Sequence, residues 1–188
     1  GPTFTETSAS QLVVLDRTRS TELGAAPNCT ATGISAAEQA ACSAAEAEDN
    51  DIGHITARPV QADTDPMRST QITRMNNNRW AVVLGNGYNS TNQKPVLLVQ
   101  YLDGAKELKR IPVSNDAPGV GHAVDNGLAA PRLVDLNGDG MPDVAYAGDN
   151  RGNMWKFNLT SHDATNWGVA FGGTPLFTAR GPASLGSA

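Results

Sequence analysis

Charge is scarce in this chain. Asp, Glu, Lys and Arg make up 18% of its 188 residues, with 14 Lys+Arg against 19 Asp+Glu and a formal net charge of −5. That balance, with no basic stripe interleaved with aromatics, excludes a nucleic-acid surface. No apolar run approaches the roughly 18 residues that a helical membrane span needs, so none is expected. Cysteine occurs only as Cys29 and Cys42, and without a second pair or a nearby His these do not form a zinc site. No Arg-Gly-Asp is present, which removes any sequence basis for integrin binding. No signal peptide opens the chain. Gly1-Pro2 reads as a scar of tag removal, so a longer parent protein is expected.

What is plentiful is turn-forming and β-forming. With 19 Gly and 11 Pro beside many Val, Ile, Thr and Asn, the composition indicates a turn-rich, mainly β protein of one medium domain. The even cysteine count and close spacing suit one Cys29–Cys42 disulfide in an oxidising compartment. Closing a loop of about 14 residues would stabilise the fold by roughly 3 kcal/mol in the chain-entropy model. Two reduced, buried thiols are the alternative.

Residues 3–10 read as frayed, 11–16 as a short apolar strand and 17–34 as loop. Ser35-Ala36-Ala37-Glu38 is a capping box, and the Ala-rich run after it predicts a helix over 35–48. Its few large apolar residues make it an insertion rather than a core element. Residues 49–70 are irregular and acidic. Asp49, Asp51, Asp63 and Asp65 could suggest a cation site, but glycine is missing where a loop would need it, so a solvated loop is expected.

From residue 71 the pattern becomes regular. Strands are expected at 71–75, 79–85, 95–103 and 108–113, and again at 130–136, 143–149, 153–159 and 174–179. Two consecutive four-stranded antiparallel meanders of this period match propeller blades, so 71–180 reads as a partial β-propeller; a β-sandwich is the alternative. Residues 3–70 then form an N-terminal strand plus the disulfide-tied helix, and 181–188 a disordered tail. Two blades do not close a ring. Either another chain covers the edges or the remaining blades lie elsewhere in the parent protein.

The turn inside the second meander carries the chemistry. Asp135-Leu136-Asn137-Gly138-Asp139-Gly140-Met141-Pro142-Asp143 places an oxygen-bearing side chain at alternate positions, with a glycine sixth. A hard divalent cation takes six to eight oxygens at about 2.3–2.6 Å, and a chain curling around it turns every second side chain inward. Gly140 permits the bend that brings the Met141 carbonyl and Asp143 to the same ion. Two like charges about 4 Å apart repel by roughly 4 kcal/mol at an effective dielectric of about 20. A cation relieves that crowding, whereas an ordinary Asx turn has no need of it. Read as a calcium loop, this stretch has the Ca²⁺ ligand set Asp135, Asn137, Asp139, the Met141 carbonyl and Asp143; a metal-free Asx turn is the alternative. The bidentate Glu of an EF-hand is absent, with Tyr146 in its place, and strands rather than helices flank the loop.

Other constellations carry blander readings. Gly85-Asn86-Gly87 lacks the third glycine and following helix of a dinucleotide site and reads as a hairpin turn. His54, His122 and His162 are isolated loop histidines. Trp80, Trp155, Phe157, Phe171 and Phe177 are expected in the blade core or between blades. Asn28-Cys29-Thr30, Asn89-Ser90-Thr91 and Asn158-Leu159-Thr160 fit the N-glycosylation pattern, which matters only in a eukaryotic secretory pathway.

Three stretches, RWAVVLGNGYNS (79–90), NGLAAPRLVDLNGDGMPDVAYAGDNRGNMWKF (126–157) and GTPLFTAR (173–180), together resemble the C-terminal β-propeller of the PilC/PilY family of type IV pilus tip proteins. The resemblance covers about residues 51–180. It implies a secreted protein at the bacterial cell surface and the tip of the pilus (fimbrium). Such a protein has pilins or other pilus components as partners, with a host or surface receptor as a further one. It also implies roles in pilus assembly, adhesion and twitching motility. A calcium loop matching Asp135, Asn137, Asp139, Met141 and Asp143 would bias pilus extension against retraction. The neutral Asn137 lowers the loop's charge by one and should soften affinity. The Cys29–Cys42 segment has no counterpart that the resemblance explains. A non-enzymatic module is therefore the leading reading. A purely structural calcium site, or a quinone- or metal-dependent propeller dehydrogenase, is the alternative.

Overall fold

Alternation along the strands decides which faces are covered. In the strand Trp80–Gly85, Ala81, Val83 and Gly85 are buried, while Trp80, Val82 and Leu84 are half-buried or exposed. The structure, a computed structural model, describes residues 29–30, 32–65, 69–113 and 126–180. The Gly1-Pro2 scar, the 3–10 stretch, the strand expected at 11–16, the tail 181–188 and His122 lie outside the described residues. The chain divides into two units, Gly1–Asp49 and Asn50–Ala188.

In the first unit a disulfide joins Cys29 to Cys42, with Cα atoms 5.4 Å apart. Helix α1 (Ala36–Asp51) begins at the expected capping box. The Glu38 N–H donates to Ser35 Oγ at 3.3 Å, and the Ser35 N–H donates to Glu38 Oε2 at 2.8 Å. These bonds satisfy donors that the first helical turn leaves unmet. Hydrogen bonds from the Ser35 hydroxyl and N–H also hold the Glu38 carboxyl below its usual range. Most of α1 is exposed, as an Ala-rich helix with few large apolar residues would be.

The last two helical residues, Asn50 and Asp51, belong to the second unit. The helix continues past the expected end at 48 because Asp51 is anchored there. Its carboxylate takes Arg110 Nη1 at 2.6 Å and Asn92 Nδ2 at 2.8 Å, and its carbonyl accepts from Asn86 Nδ2 at 2.8 Å. Asp51 is thus buried and ion-paired, not part of a solvated loop. Asp63 stays exposed, paired with Arg132 across 3.3 Å.

Two antiparallel sheets follow. The first has the order β1 (Ile72–Arg74), β2 (Trp80–Gly85), β3 (Val96–Tyr101) and β4 (Leu108–Pro112). The second has β5 (Arg132–Val134), β6 (Val144–Gly148), β7 (Asn153–Asn158) and β8 (Gly168–Val169), with β9 (Phe177–Thr178) also on β7. The expected mainly β fold of two meanders is observed. Its fourth strand differs from the one expected at 174–179. That position is shared by two dipeptides: β8 pairs with Phe157 and Asn158, and β9 with Asn153 and Met154. The loop through Trp167 supplies half of the outer strand. Trp167 is buried and donates its indole N–H to Ser161 O at 2.8 Å, which fixes the approach to β8.

One core joins the sheets. Val83, Leu97 and Val99 of the first meet Ala145, Trp155 and Phe157 of the second. Strand β3 is buried at every residue because its other face carries Val96 and Leu98 against Ile52 and Leu84. Of the aromatics expected inside, only Trp155 and Phe157 are. Trp80, Phe171 and Phe177 are 51%, 57% and 62% exposed. Trp80 falls on the uncovered side of the β2 alternation. Phe177 lies in the short edge strand β9, and Phe171 in the turn before it, where no further layer of described residues covers them.

Gly85-Asn86-Gly87 is not a hairpin turn. Main chains converge there, with the Gly53 N–H on Asn86 O at 3.0 Å and the Gly87 N–H on Leu128 O at 2.9 Å. A Cβ on Gly127 would lie 1.7 Å from Gly87 O, and one on Gly85 would lie 2.0 Å from Ala129 O. Asn86, fully buried, fills the junction. Its Nδ2 donates to Asp51 O and Lys94 O, and its Oδ1 accepts from the N–H groups of Val96 and Leu128.

Asp149 is a second junction residue. Its carboxylate accepts from the Arg151 and Asn153 N–H groups, the Asn153 and Asn126 amides and the Trp155 indole. Burial alone would raise its pKa. The hydrogen bonds from Asn153, Trp155 and Asn126 outweigh burial and hold it below the ordinary carboxylate value. A folded-state pKa below the unfolded one of about 3.9 stabilises above that pH, and the contribution is lost as pH falls through the folded value.

Two outcomes are expected. Asn86→Leu leaves the Val96 and Leu128 N–H groups without acceptors and should cost about 3 kcal/mol or more in denaturant unfolding. Asp149→Asn should cost about 2 kcal/mol at pH 7, with the difference from wild type shrinking below about pH 4. Urea titrations across pH 2.5–7, a range set about the ordinary Asp pKa of roughly 3.9, measure both.

Candidate metal centre

The register of β5 on β6 creates the loop. Val134 pairs with Val144, and the Asp143 N–H donates to Val134 O at 2.9 Å, so residues 135–142 must leave and return within one hairpin end. Gly138 and Gly140 sit at φ 81° and 84°, where a side chain is strained, although nothing lies within 4 Å of either Cβ position.

Each side-chain ligand expected from the sequence has a defined place. Asp135 Oδ1 accepts from the Gly138 N–H at 2.7 Å and the Asn137 N–H at 3.2 Å, and its Oδ2 from the Gly140 N–H at 2.7 Å. The Gly140 bond, joined by those from Gly138 and Asn137 against a smaller desolvation, holds the Asp135 carboxyl below its usual range. Asn137 Oδ1 accepts from the Asp139 N–H at 2.9 Å, and its Nδ2 donates to Asp139 Oδ2 at 3.1 Å. Asp139 Oδ1 accepts from the Met141 N–H at 2.8 Å. Asp143 Oδ2 accepts from the Leu136 N–H at 2.8 Å and the Asn137 N–H at 3.3 Å. The first and last carboxylates therefore meet at one amide, that of Asn137.

Burial divides the set. Asp135, Asn137 and Asp139 are exposed, whereas Asp143 is 5% exposed. Among the described residues no ion pair involves any of these carboxylates, and no three Asp, Glu, His or Cys side chains form a metal cluster by themselves. The donor set expected from the sequence adds the Asn137 amide oxygen and the Met141 carbonyl to the three carboxylates. It is oxygen throughout, the chemistry of a hard divalent ion such as Ca²⁺ and not of zinc or copper. Beside the loop lies a cleft of about 270 Å³, lined by Ile72, Thr73, Leu133, Asp135, Gly140 and Pro142.

Of the expected loop histidines, two are among the described residues. His54 pairs by main chain with Tyr88, their rings 5.4 Å apart, and His162 Nδ1 lies 2.6 Å from Asn76 O. Sequence reading missed Asn76, the residue that reaches the loop from the first sheet. Asn76 Nδ2 donates to Pro142 O and Leu159 O, each at 2.9 Å. Its place in an Asn76-Asn77-Asn78 run signals only a turn, and its partner is 66 residues away.

Two antiparallel meanders sharing a core, with an oxygen-lined loop on the first hairpin of the second, define a pair of propeller blades. The family model for the PilY1 beta-propeller domain matches residues 48–180, and the chain belongs to that family. A type IV pilus biogenesis factor PilY1 of Pseudomonas aeruginosa is 34% identical over 152 residues, covering 70% of this chain and 12% of that protein. A PilY1 homolog of Xylella fastidiosa is 34% identical over 146 residues, covering 71% of this chain and 9% of that protein. The crystal structure of the Pseudomonas aeruginosa PilY1 C-terminal domain superposes with a TM-score of 0.58 at 34% identity, over 73% of this chain and 28% of that one. The chain thus spans about a tenth of these curated relatives.

Gly140→Ala should cost about 1 kcal/mol through backbone strain alone, since no atom stands where the methyl would go. A denaturant titration in chelator measures it, and a cost near zero would mean that φ at this position is free to change.

Proposed function

We propose that this chain is a calcium-binding propeller module of a type IV pilus biogenesis protein. It acts at the cell surface and pilus tip with pilins or other pilus components as partners, and it is not an enzyme. The observation that carries the metal reading is Asp143. A buried carboxylate with no cationic partner is costly unless other charge or donors compensate it. Here two N–H groups provide part of that compensation. Asp135, Asn137, Asp139 and Asp143 would hold Ca²⁺ through side-chain oxygens, and Met141 through its main-chain carbonyl. The bound ion supplies two positive charges to a loop that carries three negative ones.

The pilus reading rests on the family and on the printed names of the relatives, which are pilus biogenesis factors. Adhesion, a host or surface receptor, and control of extension against retraction by calcium occupancy follow from the same reading. A purely structural ion is the second reading. It is favoured by the N–H network that already ties Asp135, Asn137 and Asp139 into one turn. A propeller dehydrogenase is the third reading, and the printed names of the relatives, which are pilus biogenesis factors, favour the first over it.

Calorimetric titration should give a Ca²⁺ dissociation constant on the order of 10⁻⁶–10⁻³ M, with the heat largely lost in Asp139→Ala. Equal heats from both proteins would sink the metal reading. A regulatory ion further predicts that the same substitution, in the full-length protein on cells, changes twitching at unchanged protein abundance. A structural ion predicts loss of abundance.

A further inference from the structure

The peptide that leads into Asp143 is held from two sides. Its N–H belongs to the second sheet's own ladder, donating to Val134 O at 2.9 Å. Its carbonyl, that of Pro142, belongs to the other sheet and accepts from Asn76 Nδ2 at 2.9 Å. The same Nδ2 donates to Leu159 O, while the Leu159 N–H donates to Asp143 O at 2.8 Å. Asn76 is 3% exposed, in the turn between β1 and β2. That turn is closed by the Asn78 N–H on Met75 O and the Met75 N–H on Arg79 O, each at 2.8 Å. His162 Nδ1 meets Asn76 O at 2.6 Å. Both hydrogens of one buried amide are therefore spent on the segments that fix Asp143, and both come from the neighbouring sheet.

We infer that Asn76 is a positioning residue for the cation loop, through which cation binding and the contact between the two sheets are energetically coupled. This inference rests on the metal reading proposed above. A ligand placed by a hydrogen bond from another element binds best when that element is docked. By linkage the ion then favours the docked arrangement by the same factor. Partners behind a ligand typically change metal affinity by about 10–100-fold.

The test pairs calorimetry with hydrogen exchange on the whole chain. In the wild type, Ca²⁺ should slow exchange at the loop amides of Gly138 and Gly140 and also at the β1–β2 turn amides of Met75 and Asn78. In Asn76→Ala, affinity should fall roughly tenfold or more, and Ca²⁺ should protect the loop amides alone. Asn77→Ala, in the same turn, loses only its bonds to the Tyr101 hydroxyl and the Arg79 N–H, neither of them in the loop, and should bind Ca²⁺ as the wild type does. Wild-type binding with an unresponsive β1–β2 turn overturns the inference, even if Asn76→Ala cannot be obtained folded, and leaves the metal reading standing. Equal weakening by Asn77→Ala also overturns it, because general loosening of the turn would then suffice. No heat and no protection in the wild type removes the metal reading and the inference together.

Discussion

The contact on which the rest depends is the buried amide of Asn86. Main chains cannot approach closely inside a protein unless their N–H and C=O groups find partners. Around Asn86 the end of α1, the start of β3 and the segment before β5 all bring main-chain groups into a dry junction, and one side chain serves each of them. The surrounding glycines are the other half of the arrangement. At Gly85, Gly87 and Gly127 a side chain would overlap a carbonyl, so the approach is possible only where no Cβ exists. This junction adds directional polar contacts to the apolar core that the two sheets share.

The cation loop follows from the same economy of polar partners. Its carboxylates are balanced by N–H groups that the tight turn leaves pointing inward. Exposure of Asp135, Asn137 and Asp139 keeps that balance inexpensive, while burial of Asp143 makes its position depend on what surrounds it. A loop belonging to one blade is thereby finished by an asparagine of another. Membership in the PilY1 propeller family supplies the setting for this arrangement, in which blades stand side by side around a ring.

Local patterns were legible in the sequence, and long-range partners were not. The capping box at Ser35 and Glu38, the strand alternation from residue 71 and the alternate oxygens of the loop all act within a few residues, where propensity and spacing operate. Asp51 looked like one more acid in a polar loop because Arg110 and Asn92, which keep it buried and helical, are remote in sequence. Gly85-Asn86-Gly87 looked like a turn because glycine marks turns and close backbone approach alike. Phe171 and Phe177 are exposed because an aromatic residue is buried only when some element lies over it.

The divided outer strand has a consequence for how this surface meets other chains. A long, straight edge strand offers a row of unpaired main-chain groups on which a foreign strand can template itself. Here β8 and β9 contribute only two residues each, and between them Phe171, Gly172 and Gly173 turn the chain through positive φ values. A strand arriving from outside would find no ladder longer than a dipeptide before the direction changes. The break thus makes this edge a poor template for strand pairing, while the exposed aromatic side chains beside it remain available for contacts that do not require a ladder.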